Sequence, residues 1–377
     1  MPQPKTPDPA SARFPGRHRK GARPQRDPNR QHRVGLAASN GNDRDAGPRA
    51  LPPSQNRGKD GRITRTRFVV VASVIIVALA AVLISRVAGK DGSGKPAGPV
   101  ARSRATAPLP PRTYLGVYIP GVPGSYAAVS GFAASTGVSP GIVVYYSGWP
   151  QPFQARFAAT VAAHGAVPLV QMDPTGASLA AIAAGKYDAY LRSFAGAVKA
   201  HRGPVILSFG HEMNGPWYSW GYRHTSPRVF VATWRHIVTL FRAAGARNVT
   251  WLWTVNIIRR GYIPSPARWW PGGSYVNWVG IDGYYYKPSW KFASLFGPTI
   301  KAVHSFSLAP VLIAETGAAR AAGKPAKIAD LFAGIRAYGL RGFVWFDAKR
   351  KRDWRLDSPA AKAAFRRGAQ ALIRSAS

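Results

Sequence analysis

Glu212 and Glu315 are the only glutamates among the fifteen acidic residues of this 377-residue chain. Each stands just after a short apolar run: residues 205–209 lead through Gly210-His211 to Glu212, and residues 311–314 lead straight into Glu315. Asp173, Asp282 and Asp347 follow three further runs. A carboxylate after a strand often caps the next helix, a task that suits Asp better than the longer Glu. Two carboxyls facing each other have another use. One is protonated to donate to a leaving oxygen, and the other is ionised to attack or to activate water, as glycosidic bond cleavage requires. A gap of about 5–5.5 Å permits direct attack and retention; about 6.5–9.5 Å admits water and gives inversion. Sugar rings also need flat apolar partners. Trp217, Tyr218, Trp220, Trp269, Trp270, Tyr284, Tyr285, Tyr286 and Trp345 end or follow apolar runs. Of these, Trp217, Trp220 and Trp345 are the expected sugar-facing residues.

The elements that must position these groups repeat eight times. Apolar runs of four to six residues occur at 114–119, 142–146, 167–171, 205–209, 249–254, 278–281, 311–314 and 343–346. Mostly lacking polar alternation, they read as strands buried on both faces of a parallel sheet. Helical stretches lie between them at 153–164, 187–200, 227–244, 291–306, 326–338 and 359–373; Ser226 stands as an N-cap and Gly245 as a stop. The connections around 120–137 and 255–275 are the least clearly helical. Eight such units in roughly 250 residues predict an α/β fold, the (β/α)8 or TIM barrel, over 112–377. A doubly wound open sheet is the alternative, but no G-x-G-x-x-G follows the first strand. In barrels, catalytic groups sit at the C-terminal strand ends, where both glutamates fall.

The rest of the chain is of another kind. Residues 1–67 hold 16 Lys/Arg and 5 Asp with many prolines, and read as a disordered basic tail. Residues 68–85 carry no charge, Gly or Pro between Arg67 and Arg86. At ~1.5 Å per residue they span roughly 27 Å, the reach of a transmembrane helix, and the absence of a polar face argues against a core helix. The 67 residues before them argue against a cleaved signal peptide. Basic residues massed before the span predict a single-pass cell-membrane protein with a cytoplasmic N-terminus and an extracellular barrel. Residues 86–111 read as a linker. The formal net charge is +37, and +22 within 112–377 from 31 Lys/Arg and 9 Asp/Glu. Solubility explains the latter, or else affinity for anionic wall polymers or a charged glycan. A single aromatic residue, Phe14, lies among the tail's charges, too few to stack bases, so no specific nucleic-acid partner is expected. The absence of Cys excludes thiol catalysis and disulfides, and no histidine pair has metal-ligand spacing, so no metal or organic cofactor is expected.

The segment Gly210-His211-Glu212-Met213-Asn214-Gly215, with Trp217, Tyr218, Trp220 and Gly221, resembles the signature of glycoside hydrolase family 26. The likeness extends to Ile281-Asp282-Gly283-Tyr284, to Ala314-Glu315 with Gly317, and to Trp345. The family includes many β-mannanases, in a clan of retaining TIM-barrel enzymes. The resemblance implies that Glu212 is the acid/base and Glu315 the nucleophile. It further implies that His211 binds sugar beside the acid/base, that Tyr284 hydrogen-bonds the nucleophile (with Tyr285 and Tyr286 as competitors), and that Trp345 is the floor under the cleaved sugar. The expected partner is a β-linked polysaccharide or oligosaccharide, mannan first, with mixed-linkage β-glucan and xylan as alternatives, and the expected state is a monomer. A non-catalytic carbohydrate-binding or wall module would keep the aromatics but would not need both glutamates.

Overall fold

The computed structural model describes residues 109–374. Eight strands, β1 (Tyr114–Tyr118), β2 (Ile142–Gly148), β3 (Val167–Asp173), β4 (Val205–Phe209), β5 (Val249–Asn256), β6 (Trp278–Asp282), β7 (Val311–Thr316) and β8 (Gly342–Phe346), pair in chain order, all parallel. The strand β8 returns to β1, with Phe343 opposite Leu115, and closes the barrel. Five strands are buried along their whole length (β3, β4, β6, β7 and β8), as their apolar composition requires. Closure at β8 depends on Gly342, whose φ of 119° is open to glycine and whose Cα approaches Tyr114 so closely that any Cβ would strike its carbonyl.

The helices α1 (Ala127–Thr136), α2 (Ala155–Ala163), α3 (Leu179–Ala183), α4 (Asp188–His201), α5 (Pro227–Ala243), α6 (Phe292–Leu295), α7 (Gly297–His304), α8 (Lys324–Ala337) and α9 (Pro359–Arg374) follow the strands. The longest, α5, starts where Ser226 Oγ accepts from the Val229 amide, with Pro227 in its first turn. It buries Phe230, Trp234, Ile237 and Phe241 against the barrel, each contributing about 1.5–3 kcal/mol of hydrophobic stabilisation.

Several boundaries differ from the sequence expectation. The first connection does hold a helix, α1, whereas the fifth holds only two short 3-10 turns, Pro266–Trp269 and Gly273–Tyr275. The stretch 291–306 is two helices, parted before Gly297-Pro298, and α3, capped by Ser178, lies in a stretch read as loop. Five strands, β2, β3, β5, β6 and β7, run one or two residues further than their apolar runs. The expected tail at 1–67, spanning helix at 68–85 and all but the last residues of the linker at 86–111 lie outside the described residues. No helix among the described residues is long and apolar enough to cross a membrane.

A fault in β7 matters for the site. Ile281 stands opposite Ile313 but Asp282 opposite Glu315, and towards β8 the register again slips between Ile313 and Thr316. One extra residue, Ala314, is thus accommodated on β7, as in a β-bulge. A Cβ on Gly280 would meet Ala314 and Thr254, and Thr254 Oγ1 meets Ser208 Oγ at 3.0 Å. Phe209 packs outward on Phe230 of α5, so this row faces the barrel interior. Strict alternation would send Glu315 outward. The bulge turns it inward as well.

Candidate active site

At the end of β4 the chain turns through Gly210 (φ 55°) and Glu212 (φ 54°), both left-handed. Glycine takes this conformation freely; for glutamate it costs about 1 kcal/mol, a strain kept where the surroundings fix it. Here the Glu212 amide donates to Thr254 O of β5 at 2.9 Å. Asn214 seals the same loop: its Nδ2 donates to Asn256 O at 2.9 Å, and its Oδ1 accepts from the Asn256 amide at 2.8 Å. The Glu212 carboxylate is fully buried, receiving Asn256 Nδ2 at 2.5 Å and the Trp217 indole N–H at 2.7 Å.

Across the mouth, Glu315 accepts the hydroxyl of Tyr284 at 2.7 Å and that of Tyr146, at the end of β2. Carboxylate oxygens of Glu212, Asp282 and Glu315 all lie within 4.8 Å of one another. These three are the described residues that could together hold a cation. His211 is buried behind them. Its Nδ1 donates to Asp173 Oδ1 at 2.8 Å, and its Nε2 lies 3.0 Å from the Tyr218 hydroxyl.

Burial and crowding set the charges. Burial and then the Glu315 charge push the Glu212 carboxyl up to about 7, against the pull of His211 and of its two donors. Burial also raises Glu315, but the cationic His211 and the two phenols oppose the rise. For His211, burial works against the proton, yet Asp173, Glu315 and Glu212 carry it up to about 9, so it is a cation at neutral pH. Asp282 is raised well above the ordinary carboxylate range by burial and by Glu315, Glu212 and Asp173. Burial and Glu315 likewise raise Tyr146 and Tyr284, which therefore remain donors.

The expected residues divide by location. Glu212, Glu315, His211, Tyr284 and the half-buried Trp217 converge. Tyr285 and Tyr286 do not reach the nucleophile position: Tyr285 is buried against Phe296 and Tyr286 lies further out beside Trp290. Trp220 is 4% exposed, stacks on Tyr218 at 4.3 Å and donates to His211 O, supporting the wall from behind. Trp345 departs most from expectation. It is wholly buried and packs outward on Phe365 of α9. The β8 residue at the mouth is Phe346, stacked on Tyr118 at 4.6 Å, and Trp354 in the following loop lies 4.6 Å from the Tyr284 ring. Tyr146, Asn256 and Trp354 were not anticipated, although the strand-end rule applied to the second and fifth runs points to the first two.

The glycosyl hydrolase family 26 model matches residues 177–354, from the loop before α3 to Trp354. The barrel belongs to this family. Endoglucanase H of Acetivibrio thermocellus is 33% identical over 269 residues, 67% of this chain but only 30% of that relative's length. A modular endo-β-1,4-mannanase from Cellulomonas fimi superposes with a TM-score of 0.53 at 17% identity, covering 68% of this chain and 70% of that one. A family 26 β-mannanase from Bacteroides ovatus gives 0.52 at 15%, covering 69% and 89%. At these identities the structural likeness speaks for the fold.

Proposed function

We propose that this family 26 barrel is a retaining β-glycoside hydrolase, with Glu315 as nucleophile and Glu212 as acid/base. The observation that carries the reading is the pair itself: two buried carboxyls on facing strand ends, with one oxygen of each inside 4.8 Å of the other, an approach that suits direct attack better than the wider gap of an inverting pair. Glu315, given two phenolic donors and a cationic neighbour, is the ionised partner; Glu212, near 7, keeps the proton. Glu315 attacks the anomeric carbon while Glu212 protonates the leaving oxygen. Esterified Glu315 no longer repels a charge, so Glu212 becomes more acidic and can take a proton from water, which releases the sugar. Trp217 holds Glu212 through its indole N–H and, half-buried, borders the sugar path; His211, buried behind the pair, acts on Glu212 through its charge.

The test uses β-mannan, β-glucan and β-xylan with two variants. Wild type should release sugar of retained configuration by proton NMR. Glu315→Ala should be inactive, with azide rescue giving inverted product; Glu212→Ala should still cleave activated aryl glycosides, with azide giving retained product. Wild-type inversion overturns the assignment. Mannan is the first expected substrate, as the resemblance of the strand-end motifs to those of family 26 implies; β-glucan is the second, supported by the endoglucanase relative. Residues 68–85 would anchor the barrel outside the cell as a monomer. Protease added to intact cells should remove the barrel and spare the basic tail.

A further inference from the structure

The floor of the mouth is acidic and its rim is not. After β8 come Lys349-Arg350-Lys351-Arg352, all exposed, in a tight turn closed by the Arg350 amide on Arg352 O at 2.9 Å. After β5 come Arg259 and Arg260. From these two loops, Arg259 and Arg352 converge on one ring, with guanidinium carbons 5.9 and 5.1 Å from the centroid of Tyr286. Tyr286 meets Trp354 edge-on at 5.4 Å, and Trp354 lies against Tyr284, which donates to Glu315. On another side, Arg350 Nη2 donates to the Tyr118 hydroxyl at 3.4 Å, and Tyr118 meets Tyr146, the other donor to Glu315, edge-on at 5.1 Å. The cations thus reach the nucleophile through two or three aromatic rings.

Arg259, Arg350 and Arg352 form no ion pair among the described residues. The nearby acids are already engaged: Asp353 is held by Arg355 through two bonds of 2.8 and 2.6 Å, and Asp357 by Arg320 and Lys324. In a basic chain, surplus cations usually mark a solvated face. Here Arg259 and Arg352 lie over one aromatic ring and Arg350 meets a phenol hydroxyl at the edge of a sugar-binding mouth, and a guanidinium presents a planar fork that fits a carboxylate. Resting on the hydrolase reading, we infer that this rim selects a β-linked glycan carrying carboxylate-bearing sugars beside the cleaved bond. Aromatic faces take the rings, and Arg259, Arg350 and Arg352 take the carboxylates.

The full chain is to be assayed on β-1,4-mannan and β-1,4-glucan, on both polymers after C6 oxidation to graded uronate content, and on C6-phosphorylated equivalents. At low salt, kcat/KM on the uronate polymer should exceed that on its parent by about tenfold, within reach of several concerted charge contacts. The ratio should approach one near 1 M salt, where the screening length is only ~3 Å. The double variant Arg259→Gln/Arg352→Gln should lose the preference, and the corresponding double Lys variant should keep much of it. Equal rates on oxidised and parent polymers, or a preference that survives in the Gln variant, would overturn the inference. So would a preference for phosphate over uronate, or salt-sensitive binding of acidic polymers with no gain in kcat/KM, which would assign the cations to adhesion. Cleavage of neutral polymer alone would leave the hydrolase reading standing without this one, and cleavage of none would remove both.

Discussion

At the scale of single residues, the site is a set of donors arranged to keep two neighbouring carboxyls in different protonation states. If Glu212 must carry a proton to start the reaction, kcat/KM falls as pH rises through about 7, the value to which burial and Glu315 push it. The cation on His211 holds Glu212 down, so His211→Asn should move that alkaline limb to higher pH, an outcome a merely structural loss would not produce. The two phenols on Glu315 allow a second prediction. A hydrogen bond to a charged group is worth about 1.5–3 kcal/mol, so Tyr146→Phe and Tyr284→Phe should each lower kcat by roughly 10- to 100-fold, read from steady-state kinetics. If only Tyr284→Phe does so, Tyr146 is a wall and not a donor. The two glutamates were legible in the sequence because their rarity and their strand-end positions coincide. Trp345 was misplaced because a strand buried on both faces has no polar alternation to say which side each residue takes. Phe346, next to it, faces the mouth.

At the scale of elements, the barrel was readable because each strand is a short apolar run and the helix between runs is bounded by Gly, Pro or Ser. The bulge in β7 was not, since nothing in Leu-Ile-Ala-Glu-Thr marks an extra residue; it follows from pairing with both neighbours. Nor was the part played by α8, whose first turns contain two buried lysines. Lys324 Nζ reaches Asp353 O at 3.3 Å, Arg355 O and Asp357 Oδ1 at 3.1 Å, tying down the loop that carries Trp354. Lys327 Nζ reaches the carbonyls of Pro288 and Trp290, both at 2.5 Å, and ties the loop after β6. One helix therefore fixes two walls of the mouth. Lys324→Met leaves these acceptors unpaired, and should lower stability by about 1–3 kcal/mol in denaturant melts. It should also raise KM more than it lowers kcat, because it loosens Trp354 and not Glu315. Unchanged stability would show that water replaces the ammonium.

At the scale of the whole molecule, parallel strands put every C-terminal end, and so the mouth, on one face. The described chain enters and leaves on the other. Arg112 and Leu115, at the entry to β1, line a common cavity with Ala369, Gln370 and Leu372 of α9. Both ends of the barrel therefore emerge side by side through its floor. The chain has no cysteine, so a single introduced thiol would be its only one. Coupled to a solid support through a cysteine appended beyond residue 377 or placed near residue 109, the protein should hydrolyse long polymer at the same rate per molecule. Coupled through Ser219→Cys, in the exposed loop after β4, it should still turn over a small aryl glycoside but lose polymer. An array of copies planted by either end would be a surface on which every mouth faces the solution.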